Sequence, residues 1–184
     1  MPRIARGHFD IFINGETISF VSSEDSAKII RHTFSELYNA LYSHDTLKEI
    51  PAEKMRDFLG WGEFNVLAAG ESIADSKETV IQAIHEAVDS IDKEANRLTP
   101  KLRLPPFYEG RIIHRNDDTN INDIHVEHNT YMAVFATGRN VTLGRLQKMA
   151  DLLPENAGCK TWGHVFDDSL VDRVKVSVFA WFGY

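Results

Sequence analysis

The chain has 184 residues, of which 43% are hydrophobic and 26% are charged, and its formal net charge at pH 7 is −7. This length and composition favour a single α+β domain over residues 1–184. The negative charge disfavours direct binding to nucleic acid, because phosphate groups repel an acidic surface. The single Cys159 excludes an internal disulfide, and no apolar run is long enough to span a bilayer. We therefore expect a cytoplasmic protein that does not enter a membrane.

The first predicted element is a β-hairpin over residues 8–21. Phe9, Ile11 and Ile13 alternate with other residues, as in a strand with one buried face. The dipeptide Asn14-Gly15 then supplies the two positive-φ positions of a type I′ turn.

Three segments have the apolar spacing of amphipathic helices. The first begins at a hydroxyl cap near Ser22 and extends to about Tyr42. The longest begins at the capping-box sequence Ser72-Ile-Ala-Asp75 and extends to Leu98. The third is capped by Thr142. Its predicted core stripe consists of Leu143, Leu146, Met149, Ala150 and Leu153.

The C-terminal residues 173–184 have the pattern of a strand buried on both faces. Val174, Val176 and Val178 share one side, and the other side begins with Lys175 and becomes aromatic. Such a strand belongs in the interior of a sheet. Further strands are predicted at residues 61–70, 111–115, 130–137 and 161–166. Because several strands adjoin without intervening helices, we expect a largely antiparallel sheet with about three helices packed on one face.

A cluster of histidines suggests a transition-metal site. Neutral imidazoles and carboxylates are ligands that zinc and related metals accept. The four candidate ligands are His114, His125, Glu127 and His128. In this hypothesis the chain is a metal-dependent hydrolase, in which the metal activates water and Glu127 takes its proton. The alternative interpretation is that these side chains are exposed in a loop.

The same segment has a partial calcium-loop pattern. Asn116, Asp118, Asn120 and Glu127 occupy positions 1, 3, 5 and 12 of an EF-hand-like loop, but Ile121 stands where the sharp turn requires glycine. A polar loop between strands is the alternative. No cofactor other than a divalent metal is predicted.

A nucleophilic site is a further possibility near residue 159. Cys159 precedes His164 by five residues, and Asp167 and Asp168 follow. A Cys–His pair within hydrogen-bond distance would activate the thiol. A small buried thiol is the alternative interpretation of Cys159.

The outer face of the longest predicted helix is acidic, and an aromatic connector follows it. The predicted partner-binding residues are Asp75, Glu78, Glu86, Asp89, Asp92, Phe107 and Tyr108. Carboxylates at this spacing could enter a basic site built for nucleic acid. The first hypothesis is therefore a non-catalytic protein that binds a macromolecular partner, with an inhibitor of a nucleic-acid-binding protein as its specific form. A homo-oligomer that packs through residues 105–108, or an ordinary solvated surface, is the alternative.

Overall fold

The computed structural model describes residues 6–13, 16–43, 45–51, 53–55, 66–98, 130–153 and 159–182. Its strands are β1 (Arg6–Ile13), β2 (Glu16–Ser23), β3 (Val66–Ala74), β4 (Thr130–Thr137), β5 (Cys159–Phe166) and β6 (Val174–Phe182). Its helices are α1 (Glu24–Ser43), α2 (Val80–Leu98) and α3 (Leu143–Ala150), with a 3₁₀ turn at Asp168–Leu170. The predicted strand at 111–115 lies outside these residues, and the single domain over 1–184 stays a prediction.

The six strands form one mixed sheet in the order β1-β2-β3-β6-β4-β5. The C-terminal strand β6 lies between β3 and β4 and is antiparallel to both, which confirms its predicted place in the interior. The prediction of a largely antiparallel sheet is only partly right, because β2–β3 and β4–β5 are parallel pairs. Parallel neighbours require a crossover connection, and α3 provides it between β4 and β5.

The helices pack on both faces of the sheet, so the prediction that all of them cover one face is wrong. On one face, α1 buries Ile30, Phe34 and Leu37. On the other, α2 and α3 bury a second apolar cluster that includes Ile84 and Leu146. The physical reason lies in the sheet itself, because strands that are apolar on both sides need cover on both sides.

The N-terminal hairpin and the first helix agree with the sequence prediction. β1 and β2 pair antiparallel, with Phe9 opposite Phe20, and the tips of the two strands are at Ile13 and Glu16. The hydroxyl of Ser23 accepts a hydrogen bond from the backbone N–H of Ser26 at 3.1 Å, which caps the helix that follows.

The helix predicted to be the longest begins eight residues later than predicted. Ser72 belongs to β3, whose pairing with β6 continues to Ala74 opposite Val174. The helix α2 begins only at Val80, where the carbonyl of Thr79 accepts hydrogen bonds from the next turn. The capping-box pattern covers only residues 72–75. The hydrogen-bonded pairing of β3 with β6 outweighs so short a signal.

The third helix is capped as predicted. The hydroxyl of Thr142 accepts a hydrogen bond from the backbone N–H of Arg145, and Leu146, Met149 and Ala150 are buried. Leu143, which was predicted to face the core, is 50% exposed in the first turn.

The segment that follows α1 covers the β5 edge of the sheet. After this helix, the carbonyl of Lys48 accepts a hydrogen bond from the backbone N–H of His164 at 2.9 Å. Ile50 packs against Gly163, and the Lys48 ammonium lies 4.2 Å from the centroid of the Trp162 ring. This segment therefore satisfies hydrogen bonds that an open edge would leave free.

Replacing Gly70 by alanine is expected to destabilise the fold by about 3 kcal/mol or more. An added Cβ would collide with the carbonyl of Ala87 and lie 2.9 Å from the Cβ of Ser90, so α2 would have to move away from β3. The free energy of unfolding in urea measures the loss. Gly144→Ala is the matched control, because nothing lies within 4 Å of its added Cβ. On an exposed helical site alanine should stabilise by up to about 1 kcal/mol. Equal stabilities for both variants would contradict this packing.

Candidate functional site

The predicted acidic residues do not lie on one helix face. Asp75 and Glu78 are exposed in the turn between β3 and α2, whereas Glu86 and Asp89 are exposed on α2 itself. Asp92 is also in α2, but its side chain is not among those that the structure describes. Phe107 and Tyr108 lie outside the described residues.

Glu86 is the most firmly held of these carboxylates. The Ser72 hydroxyl donates to one of its oxygens at 2.5 Å, and the Gln82 amide donates to the other at 3.0 Å. Both hydrogen bonds lower the pKa of Glu86 below its usual value, and the one from Ser72 has the larger effect. The carboxylate therefore stays ionised and has a fixed orientation on the surface of α2.

Glu78 is held within its own turn. Hydrogen bonds from its own backbone N–H and from the Ser76 side chain lower the pKa of Glu78. The nearby charges of Arg145 and Lys77 lower it further. This carboxylate thus stabilises the connection into α2.

The proposed metal ligands cannot be placed. His114, His125, Glu127 and His128 all lie outside the described residues, as does the calcium-like loop. In the described part of the chain, no group of three or more His, Cys, Asp or Glu side chains could hold a metal ion. The metal-dependent hydrolase therefore stays a prediction.

The proposed Cys159–His164 pair is wrong. The two residues are at opposite parts of β5, about 17 Å apart along an extended strand. The imidazole of His164 therefore cannot reach the thiol.

His164 instead forms a buried polar cluster at the β5 edge. Its Nδ1 accepts a hydrogen bond from the backbone N–H of Leu47 at 3.2 Å, and its Nε2 lies 2.9 Å from the Thr137 hydroxyl. That hydroxyl donates to the carbonyl of Gly138, and the Thr46 hydroxyl bonds the carbonyl of His164. Because Nδ1 accepts, the proton of the neutral ring is assigned to Nε2, which donates to Thr137.

Burial lowers the pKa of His164 from 6.5 to about 4, and the negative charge of Asp45 opposes this shift only in part. A second proton on the ring would sit on Nδ1 and point at the N–H of Leu47. The cluster is therefore stable only when His164 is neutral.

Arg139 joins the ends of β4 and β5 to the segment that follows α1. Its guanidinium donates to both carboxylate oxygens of Asp45 at 2.9 Å and to Asp168 at 3.1 Å. The same group stacks over the Phe166 ring, 4.8 Å from its centroid. The hydrogen bond from Arg139 lowers the pKa of Asp45, so the pair stays ionised.

Val171 is held in a backbone conformation that valine normally avoids. Its φ is 54° and its ψ is −100°, and the N–H of Arg173 donates to the carbonyl of Leu170 at 2.9 Å. This geometry is that of a type II′ turn, whose first central position is usually glycine. A β-branched residue there carries strain of about 1–3 kcal/mol. The Val171 side chain is nevertheless 62% exposed.

Three groups of residues form one surface at the carboxyl ends of β3, β4 and β5. We call residues 75–81, 138–145 and 167–173 the loop surface. The Lys77 ammonium donates to the carbonyl of Asn140 at 2.6 Å, and Gly138 packs directly on the backbone of Val171. Large apolar side chains are exposed on it. They are Ile81, Leu143 and Val171, which are 44%, 50% and 62% exposed.

The residues at 138–140 and 167–169 are typical of turns, and nothing in the sequence predicts that these two segments meet. The residues involved were visible, but their proximity is not encoded locally. Nothing in the sequence around Val171 signals a positive φ, because glycine or asparagine is the usual marker.

Comparison with solved structures shows a likeness in fold. An FtsZ dimer from M. jannaschii, described as empty, matches 86% of this chain with a TM-score of 0.53 and 13% sequence identity. GDP-form protofilaments of TubZ from Bacillus thuringiensis serovar israelensis match 84% of the chain with a TM-score of 0.40 and 9% identity, covering 39% of TubZ. The GDP-bound monomer of CetZ1 from Haloferax volcanii matches 90% with a TM-score of 0.39 and 14% identity, covering 41% of CetZ1.

The likeness to FtsZ shows the fold alone. At 13% identity it does not transfer an activity, and the matched region spans 38% of the FtsZ chain. No protein-family model matches the sequence, and no curated protein matches it. Among the helices that the structure describes, none is long and apolar enough to cross a membrane.

The free energy of unfolding is expected to decrease as the pH falls from 6.5 to about 4. The unfolded chain binds a proton on His164 at its ordinary pKa of 6.5, whereas the folded chain does so only near 4. The contribution of His164 to the free energy of unfolding is fully present above pH 6.5. Its loss at low pH should lower that free energy by on the order of 2–3 kcal/mol. Urea unfolding at several pH values measures it.

His164→Asn should remove this part of the pH dependence, although the variant will be less stable at pH 7. His32→Asn is the matched control, because that imidazole is exposed and paired with Glu36. An unchanged slope in His164→Asn would rule out His164 as the responsible group.

Proposed function

We propose that this protein is a non-catalytic binding protein that acts by associating with another protein chain through the loop surface. The observation that carries the proposal is Val171. A strained and exposed apolar side chain contributes nothing to the core, and strained residues of this kind cluster at functional sites.

The surroundings of Val171 support a docking role. The 3₁₀ turn before it is fixed by Asp167, whose carboxylate accepts hydrogen bonds from the N–H and the hydroxyl of Ser169. Arg139 ties Asp168 to the rest of the surface. A surface that is ordered before binding loses less entropy when a partner docks.

The fold comparison is compatible with association. The FtsZ structure that shares this fold is a dimer. We extend association, and no other property of FtsZ, to this chain as part of the proposal.

A second candidate is the carboxylate surface of α2. The observation that favours it is the fixed and ionised Glu86, with Asp89 exposed three residues further along the helix. Such a surface would suit a basic site on a nucleic-acid-binding protein, as an inhibitor would require. Asp75 and Glu78 would contribute less, because they lie in the turn before the helix.

Val171→Asp is expected to reduce recovery of the natural partner from native cell extract by about tenfold or more. The added charge would lie in the contact and lose its hydration when the partner binds. The measurement is affinity capture with the full chain as bait, quantified for each recovered protein. Phe12→Asp is the matched control, since Phe12 is 75% exposed and lies on the edge strand β1. Equal recovery by wild type and Val171→Asp would contradict the proposal.

Glu86→Gln tests the second candidate in the same capture. If the carboxylate surface binds a basic partner, the partner should be lost from this variant and also from wild type at high salt. Glu53→Gln, which changes an exposed carboxylate away from α2, should behave as wild type. A partner that is insensitive to both salt and Glu86→Gln would exclude this candidate.

A further inference from the structure

The occupant of the loop surface can be inferred from the charges around Val171. The chain as a whole carries a net charge of −7, so two copies repel each other at most orientations. Around Val171 the signs are mixed. Arg139 and Arg173 lie beside Asp168 and Asp172, and all four are exposed. Close approach of a second copy is therefore opposed less at this surface than the net charge of the whole chain would suggest.

The type II′ turn is also self-complementary. Its exposed corner presents Val171, Asp172 and Arg173 in succession. A two-fold axis at Val171 would place the residues before the turn of one copy opposite those after the turn of the other. Because the Arg173 guanidinium reaches back to Ser169, Asp172 of each copy would then lie near Arg173 of the other. The Arg173 guanidinium already donates to the carbonyl of Ser169 at 3.2 Å, and it has further N–H groups that can donate to a carboxylate. Interfaces about a two-fold axis use the same patch on both subunits.

We propose that two copies of this chain associate through the loop surface, with the Val171 side chains in contact near a two-fold axis and reciprocal Asp172–Arg173 pairs beside them. This inference rests on the proposed function and names its partner. The mixed charge argues against two other occupants. A uniformly basic partner would meet Arg139 and Arg173, and a nucleic acid would meet Asp168 and Asp172.

The strain at Val171 gives the sharpest test of this interface. Val171→Gly removes the side chain and allows the positive φ freely. The variant should therefore melt at a higher temperature than wild type when both are monomeric, while its dimer dissociation constant rises about tenfold or more. If Val171 served only the fold, its replacement would not raise the melting temperature of the monomer and weaken the dimer at the same time.

Charge exchange tests the two-fold pairing. Asp172→Arg or Arg173→Asp alone would place like charges opposite each other and should raise the dissociation constant about tenfold. The double variant Asp172→Arg/Arg173→Asp restores opposite charges and should recover most of the affinity. Phe12→Ser removes an exposed aromatic elsewhere and should leave the dissociation constant unchanged.

The measurement is sedimentation equilibrium of the purified full chain over a wide concentration range, with thermal melting of each variant at low concentration. Wild type should show a monomer–dimer equilibrium that weakens with added salt. The inference fails if wild type remains monomeric throughout, if Val171→Gly dimerises as wild type does, or if the double exchange does not recover affinity. If the purified chain is monomeric but Val171→Asp still loses a partner from extract, the proposed function holds and only the second copy is excluded.

Discussion

The sheet is built around the C-terminal strand β6, which pairs with one strand on each side. β6 is bonded to β3 along nine residues and to β4 along eight, and it is antiparallel to both. Val176 and Val178 point to the side of α2 and α3, while Phe179 points to α1, where its ring lies 5.1 Å from that of Phe34. A strand buried in this way requires helices on both faces, and it forces β3 and β4 to run in the same direction.

The same-direction strands bring their carboxyl ends and the following loops to one end of the sheet. There the structure places Arg139, Asp168 and Val171 together, although β4 and β5 are separated in sequence by a whole helix. Gly138 is needed because the backbone of Val171 occupies the space that a Cβ would fill. The strained turn therefore lies in direct contact with the residue that follows β4.

At the β5 edge of the sheet, a buried imidazole holds the segment that follows α1 in place. His164 contributes both ring nitrogens, and Thr137 and the N–H of Leu47 complete the cluster. Burial keeps the ring neutral, which is why the imidazole serves the fold and is unsuited to act as a base near neutral pH. Arg139 and Asp45 reinforce the same connection from the solvent side.

The amino-acid sequence alone was enough to predict the strongly patterned local elements. Alternating residues identified the hairpin and the interior strand β6, and hydroxyl caps at residues 23 and 142 agree with the starts of two helices. It misplaced the start of α2, because the short motif at residues 72–75 competes with a strand ladder whose partner is about a hundred residues away.

Local patterns did not predict which strands are parallel, how the helices divide between the two faces, or which loops meet. These depend on contacts between distant residues, and a periodic pattern within one element carries no information about them. The candidate surface at Val171 belongs to this second class, because it forms where Gly138 and Val171, which are distant in the sequence, come into contact.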